Sequence, residues 1–113
     1  MKYIVAIIQP DKVDEVKRVL EEANVQLMTV SNVLGRGRQK GITEVYRGAK
    51  EMQDMLKKVK IEIAVNEDFV EPAITALMKG ARTGEIGDGK IFVLDLHEVV
   101  RIRTGERDGN AIG

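Results

Sequence analysis

The chain predicts an α+β sandwich: strand, helix and strand in succession, repeated once, with both helices on one face of an antiparallel sheet and a short C-terminal strand added. Three observations predict it. Short β-branched apolar runs alternate with segments whose apolar residues recur at helical spacing. The two halves form a weak internal duplication of the same strand–helix–strand order. A length of 113 residues fits one domain, 1–113, with one core.

Residues 3–8 form a nearly continuous apolar run, which reads as a buried strand. Pro10 ends it. Asp11 is placed to cap the following helix, with Asp14 and Glu15 in the first turn, where the dipole favours anions. Val13, Val16, Val19, Leu20 and Ala23 then recur at helical spacing. Asn24 stands where a left-handed C-cap is wanted, and residues 25–34 read as the second strand. Residues 59–65 alternate apolar with polar side chains, giving a third strand with one wetter face. From Asn66 a second helical pattern runs through Phe69, Val70, Ala73, Ile74 and Leu77. Pro72 has no N–H and belongs in a first turn, so this helix starts late or bends there. Residues 91–96 give a fourth strand and 99–103 a short fifth. The order is that of the ferredoxin-like βαββαβ fold. Its second sheet face needs cover, and in a domain this small another subunit is the simplest source.

Residues 36–57 break the pattern. Arg36, Arg38, Lys40, Glu44, Arg47, Lys50, Glu51, Asp54 and Lys57 are interleaved with Gly41 and Gly48. So long a connection in a small domain is usually functional or disordered. It reads as a mobile, charged loop between the second and third strands.

Composition excludes several classes. Lys plus Arg and Asp plus Glu are both 18, so no bulk basic field draws nucleic acid, and two Phe and two Tyr are few for stacking bases. With no cysteine, disulfides and thiolate metal sites are excluded. The N-terminal apolar run is too short for membrane insertion and lacks a signal-cleavage pattern, so a soluble cytoplasmic protein is expected.

Two glycine-rich basic segments carry the chemistry: 35–41, Gly-Arg-Gly-Arg-Gln-Lys-Gly, and 83–90, Thr-Gly-Glu-Ile-Gly-Asp-Gly-Lys. Glycines let main-chain N–H groups approach a ligand, and N–H groups beside Lys or Arg suit a phosphate. Arg101 and Arg103 add a third basic element. Either glycine cluster alone reads as a tight turn; the three together read as a nucleotide site. It is not a P-loop. Ile91 stands where Ser or Thr must hold Mg²⁺, and the segment leads into a strand, not a helix. Asp88, between two glycines, suits an Asx turn or a ribose hydroxyl. His97, the only histidine, has no neighbouring ligand or triad partner in sequence. Gln39 and Lys58 are surface residues or, with a 2-oxo acid chelating Mg²⁺ beside nucleotide phosphates, a metal-shell amide and a carboxylate-holding cation.

The chain resembles the PII nitrogen-regulatory signal-transduction family over essentially its whole length. The resemblance is carried by residues 37–41, Thr43-Glu44, 46–49, 58–62, 83–93 and 101–106, of which 83–93 is the most specific. It implies a homotrimer with nucleotide clefts between subunits, where ATP and ADP compete. The loop about 36–57 would be the T-loop, 82–90 the B-loop and 101–106 the C-loop. Arg38, Gly87, Gly89, Lys90, Arg101 and Arg103 would handle phosphates, and Thr29 and Ala64 would line the base pocket. Gly37, Gln39 and Asp88 complete the nucleotide set. With Mg-ATP bound, 2-oxoglutarate would chelate the Mg²⁺ beside Gln39, flanked by Lys40, Gly41 and Gly87, with Lys58 at its far carboxylate. Tyr46 and Arg47 would meet targets such as an ammonium channel or a nitrogen-metabolism enzyme, recruiting the protein to the membrane through a transporter. No catalytic residue is implied. The other readings are a sensor of adenine nucleotides alone and a slow ATPase in the same cleft. One departure stands out. Glu51 occupies the position of the family's uridylylated tyrosine, and Ala49 offers no hydroxyl, so no covalent modification is expected there.

Overall fold

The computed structural model describes residues 1–37 and 55–112. Strand β1 (Lys2–Ile8) leads through a 3₁₀ turn (Pro10–Lys12) into α1 (Val13–Glu22), then β2 (Thr29–Gly35). Strand β3 (Leu56–Val65) leads through a second 3₁₀ turn (Glu67–Phe69) into α2 (Val70–Ala81), then β4 (Gly89–Asp95). The sheet order is β2-β3-β1-β4, antiparallel throughout. Strands β1 and β3 are central and both helices cover one face, the ferredoxin-like α+β arrangement.

Register explains the core. Ile4 lies opposite Ile63, and Ala6 opposite Ile61, on the face beneath the helices. All four are at most 2% exposed and pack with Val16, Leu20, Ala73 and Leu77. The other face carries Tyr3 opposite Leu94, Val5 opposite Phe92 and Ile7 opposite Lys90. Phe92 and Leu94 are each 49% exposed there. This is the apolar face that the sequence expected to need cover.

Local details confirm some expectations and correct others. Asn24 adopts φ 61. Its N–H bonds to the Glu21 carbonyl at 3.0 Å and the Val25 N–H to the Leu20 carbonyl at 2.9 Å, a Schellman closure of α1. That closure shortens the second strand: Val25 is drawn into the helix end and the core, and sheet pairing begins at Thr29 instead of 25. Asp11 does not cap α1. Pro10 opens a 3₁₀ turn instead, leaving Lys12 at the N-cap with no side-chain cap bond. Pro72 falls in the first turn of α2, where its missing N–H removes no intrahelical bond, in keeping with the expected late start of the helix. The expected fifth strand at 99–103 does not form a ladder. Arg101 bonds to Glu106 through backbone and side chain, Gly105 turns the chain at φ 73, and only an isolated bridge joins Val100 to Arg107.

Candidate functional site

The candidate residues divide between the two ends of the sheet. One end, the loop end, is where β1 and β2 finish and β3 and β4 begin. An open cleft of about 680 Å³ lies there, lined by Ile7, Val33, Gly35, Arg36, Gly37, Lys58, residues 85–90 and Phe92.

The floor of this cleft is a backbone device. Gly84, Gly87 and Gly89 take φ of 91, 105 and 105°, conformations that side-chain-bearing residues rarely adopt. Gly89 is the most constrained: a Cβ there would lie 1.7 Å from the Ile7 carbonyl oxygen. Asp88 fixes the turn between them. Its carboxylate accepts the Thr83 N–H at 2.8 Å, the Gly84 N–H at 2.8 Å and the Thr83 hydroxyl at 2.5 Å. The Thr83 hydroxyl oxygen also accepts the Glu85 N–H at 3.1 Å. These bonds, the Thr83 hydroxyl first, hold the Asp88 carboxyl below the ordinary carboxylate range.

Lys58 crosses from β3 to the same turn. Its ammonium donates to the Gly87 carbonyl at 2.9 Å, and the residue is 8% exposed. Burial lowers its pKa, with the nearby Asp88 carboxylate acting the other way. Two members of the expected 2-oxoglutarate set, Lys58 and Gly87, are therefore in contact. Lys90 is exposed, directly across from Ile7 on the uncovered face. Arg38, Gln39, Lys40, Gly41, Tyr46, Arg47 and Glu51 lie outside the described residues.

The far end holds the rest. Thr29 starts β2, and Ala64 sits at the close of β3. Both line a cavity of about 450 Å³ with Met28, Glu62, Phe69 and Ile112. Beyond β4, the Arg101 guanidinium donates to the Glu106 carboxylate at 2.8 Å, and Arg103 is exposed on the turn that follows. Within one chain, about 20 Å of strand separates Lys58 from Ala64. The structure thus groups Gly37, Gly87, Asp88, Gly89, Lys90 and Lys58 at one end, and places Thr29, Ala64, Arg101 and Arg103 at the other.

Sequence reasoning missed the apolar walls. Ile7 and Phe92 read as ordinary strand residues, and Ile86 as a turn residue. Only the register, which brings Ile7 beside Lys90, reveals them as cleft lining. The loop end offers N–H groups and cations for anionic oxygens, and the far end offers apolar walls, a hydroxyl and the Arg101 and Arg103 guanidiniums. Among the described residues no cluster of His, Asp and Glu could hold a metal ion, and no helix is long and apolar enough to cross a membrane.

A sequence model of the family described as Nitrogen regulatory protein P-II matches residues 1–106. The chain is 58% identical over 112 residues to the Nitrogen regulatory protein P-II of Mesorhizobium japonicum, covering 99% of this chain and 100% of that one. The Azospirillum brasilense protein of the same name is 56% identical with the same coverage. The Nitrogen regulatory protein P-II 1 of Escherichia coli is 55% identical, again over 99% of this chain and 100% of that one. The chain therefore belongs to the nitrogen regulatory protein P-II family.

Proposed function

We propose that this chain is a non-catalytic, trimeric sensor of ATP and ADP that regulates nitrogen metabolism. One observation carries the reading: the candidate nucleotide residues divide between opposite ends of one sheet, Gly37, Gly87, Gly89 and Lys90 at the loop end and Thr29, Ala64, Arg101 and Arg103 at the far end. A chain so divided completes a nucleotide cleft only where its loop end meets the far end of a neighbouring copy. The uncovered face, with Phe92 and Leu94 half exposed, supplies apolar surface for such an assembly. In the cleft, ATP and ADP compete for Gly37, Arg38, Gly87, Gly89 and Lys90 of one chain and Arg101 and Arg103 of the next. Thr29 and Ala64 receive the base.

Lys58 suits the 2-oxoglutarate role. Burial disfavours its charge, so an arriving carboxylate restores what desolvation removes. Gln39 would complete the Mg²⁺ shell that ATP and the 2-oxo acid share. Asp88 suits support and not catalysis, since its carboxylate already accepts three bonds from the turn. Ligands that favour different shapes of the 36–57 loop shift its population only by their differential affinity. That loop, through Tyr46 and Arg47, docks on an ammonium channel or a nitrogen-metabolism enzyme and draws the cytoplasmic protein to its target.

Mixing defective chains tests the proposal. Lys90→Ala removes a loop-end group, and Arg103→Ala a far-end group. Each alone binds ATP weakly in every cleft. Subunits of the two kinds, unfolded together and refolded, regain intact clefts where an Arg103→Ala loop end meets a Lys90→Ala far end. Calorimetry should show tight ATP sites return in the mixture, and their absence would sink the shared cleft. Titrating 2-oxoglutarate with and without Mg-ATP separates the full sensor from one of adenine nucleotides alone. Product analysis under single-turnover conditions separates both from a slow ATPase.

A further inference from the structure

We infer that Ile112 forms a wall of the base pocket, so that the turn at 108–112 sets how tightly the nucleobase is held. The inference rests on the nucleotide reading above and adds residues beyond the 1–106 span that the family model matches. Ala111 and Ile112 are half-buried and line the same cavity as Thr29 and Ala64.

The chain reaches that position by a defined turn. Asp108 takes φ 57, a left-handed conformation for a residue with a side chain. Its N–H donates to the Val99 carbonyl at 2.8 Å, and its own carbonyl accepts the Ala111 N–H at 2.8 Å and the Ile112 N–H at 3.3 Å. The Asn66 side-chain amide donates to the Gly109 carbonyl at 3.4 Å, tying the turn to the end of β3 just past Ala64. A purine presents flat apolar faces and polar edges. Ile112 and the Ala64 methyl supply apolar surface, and the Thr29 hydroxyl supplies an edge partner. None of these groups reaches the phosphate-type residues at the loop end.

The test compares ATP and ADP affinities of the full chain with those of Ile112→Ala, Ile112→Asp and a chain stopped after Arg107. Burial of one aliphatic side chain corresponds to a change of about tenfold or more. Ile112→Asp and the shortened chain should weaken ATP and ADP by the same factor of that size, because the two ligands share the base. Ile112→Ala should weaken both to a lesser extent, and its small change leaves folding intact. Unchanged affinity in all three variants, tighter binding on removal of the turn, or loss confined to ATP would each overturn the inference. Failure of the unaltered chain to bind either nucleotide would instead sink the underlying reading of the site.

Discussion

The two ends of the sheet are built from different material. At the loop end the main chain shapes the cleft: glycines at positive φ form the turn, and Asp88 locks it with bonds to Thr83 and Gly84. At the far end side chains are the material, and a turn near 108–112 brings apolar surface beside Thr29 and Ala64. The contrast teaches that the glycine turn is held by bonds within one short segment, whereas the apolar pocket is assembled from segments distant in sequence. Substitutions at each end test whether the two meet in one site.

The largest effect is expected at Gly89. A Cβ there meets the Ile7 carbonyl oxygen, and φ 105 is strained for any other residue. Gly89→Ala should cost about 3 kcal/mol or more of folding stability, read by denaturant unfolding, and should spoil the loop end. Next come the cations. Lys90→Ala and Arg103→Ala should each weaken ATP binding by about 1.5–3 kcal/mol in calorimetry, as for a lost charge-assisted hydrogen bond. Equal loss at both would support a shared cleft; loss at only one would break the symmetry proposed between the ends.

Asp88 gives a pH signature confined to the loop end. Its folded pKa lies below the ordinary 3.8, so its contribution is fully present above that value and is lost as pH falls through the depressed folded value. Hydrogen exchange of the Thr83 and Gly84 amides should quicken in that acid range, and Asp88→Asn should quicken it already at neutral pH. Persistent protection in the variant would refute the clamp. Lys58 acts in the opposite range. Its folded pKa lies below 10.5, so its burial penalty is fully present at neutral pH and is relieved as pH climbs through the folded value toward 10.5. Stability should rise over that interval in the parent chain and flatten in Lys58→Met. The smallest effect is expected far from both ends. Arg18 pairs with Glu15 and Glu22 on the exposed face of α1. Arg18→Ala should leave both the unfolding midpoint and ATP affinity nearly unchanged.

Much of this was legible in local patterns. The buried strand at 3–8, the helical spacing after Pro10, the left-handed Asn24 and the late helix start near Pro72 each depend on neighbours in sequence. The glycine-rich turn at 83–90 was legible as an anion-suited element for the same reason. The Asx role of Asp88 was visible as one option, but its bonds reaching back to Thr83 and Gly84 were not. The strand boundaries failed where tertiary contacts prevailed: Val25 was claimed by the helix end, and residues 99–103 by the Arg101–Glu106 turn. The contact of Lys58 with Gly87 joins distant segments and has no local signal. Nor does the separation of the candidate residues into two ends, which only the strand register reveals.

Gly80 sits where α2 crosses α1, and a Cβ there would lie 2.9 Å from the Val16 Cα and from the Val16 and Val19 Cγ2 methyls. The two helices consequently mesh backbone against side chain with no slack for one to slide along the other. A side chain at position 80 would have to push the helices apart, so the absence of one there makes the helical layer a fixed frame for the sheet beneath it.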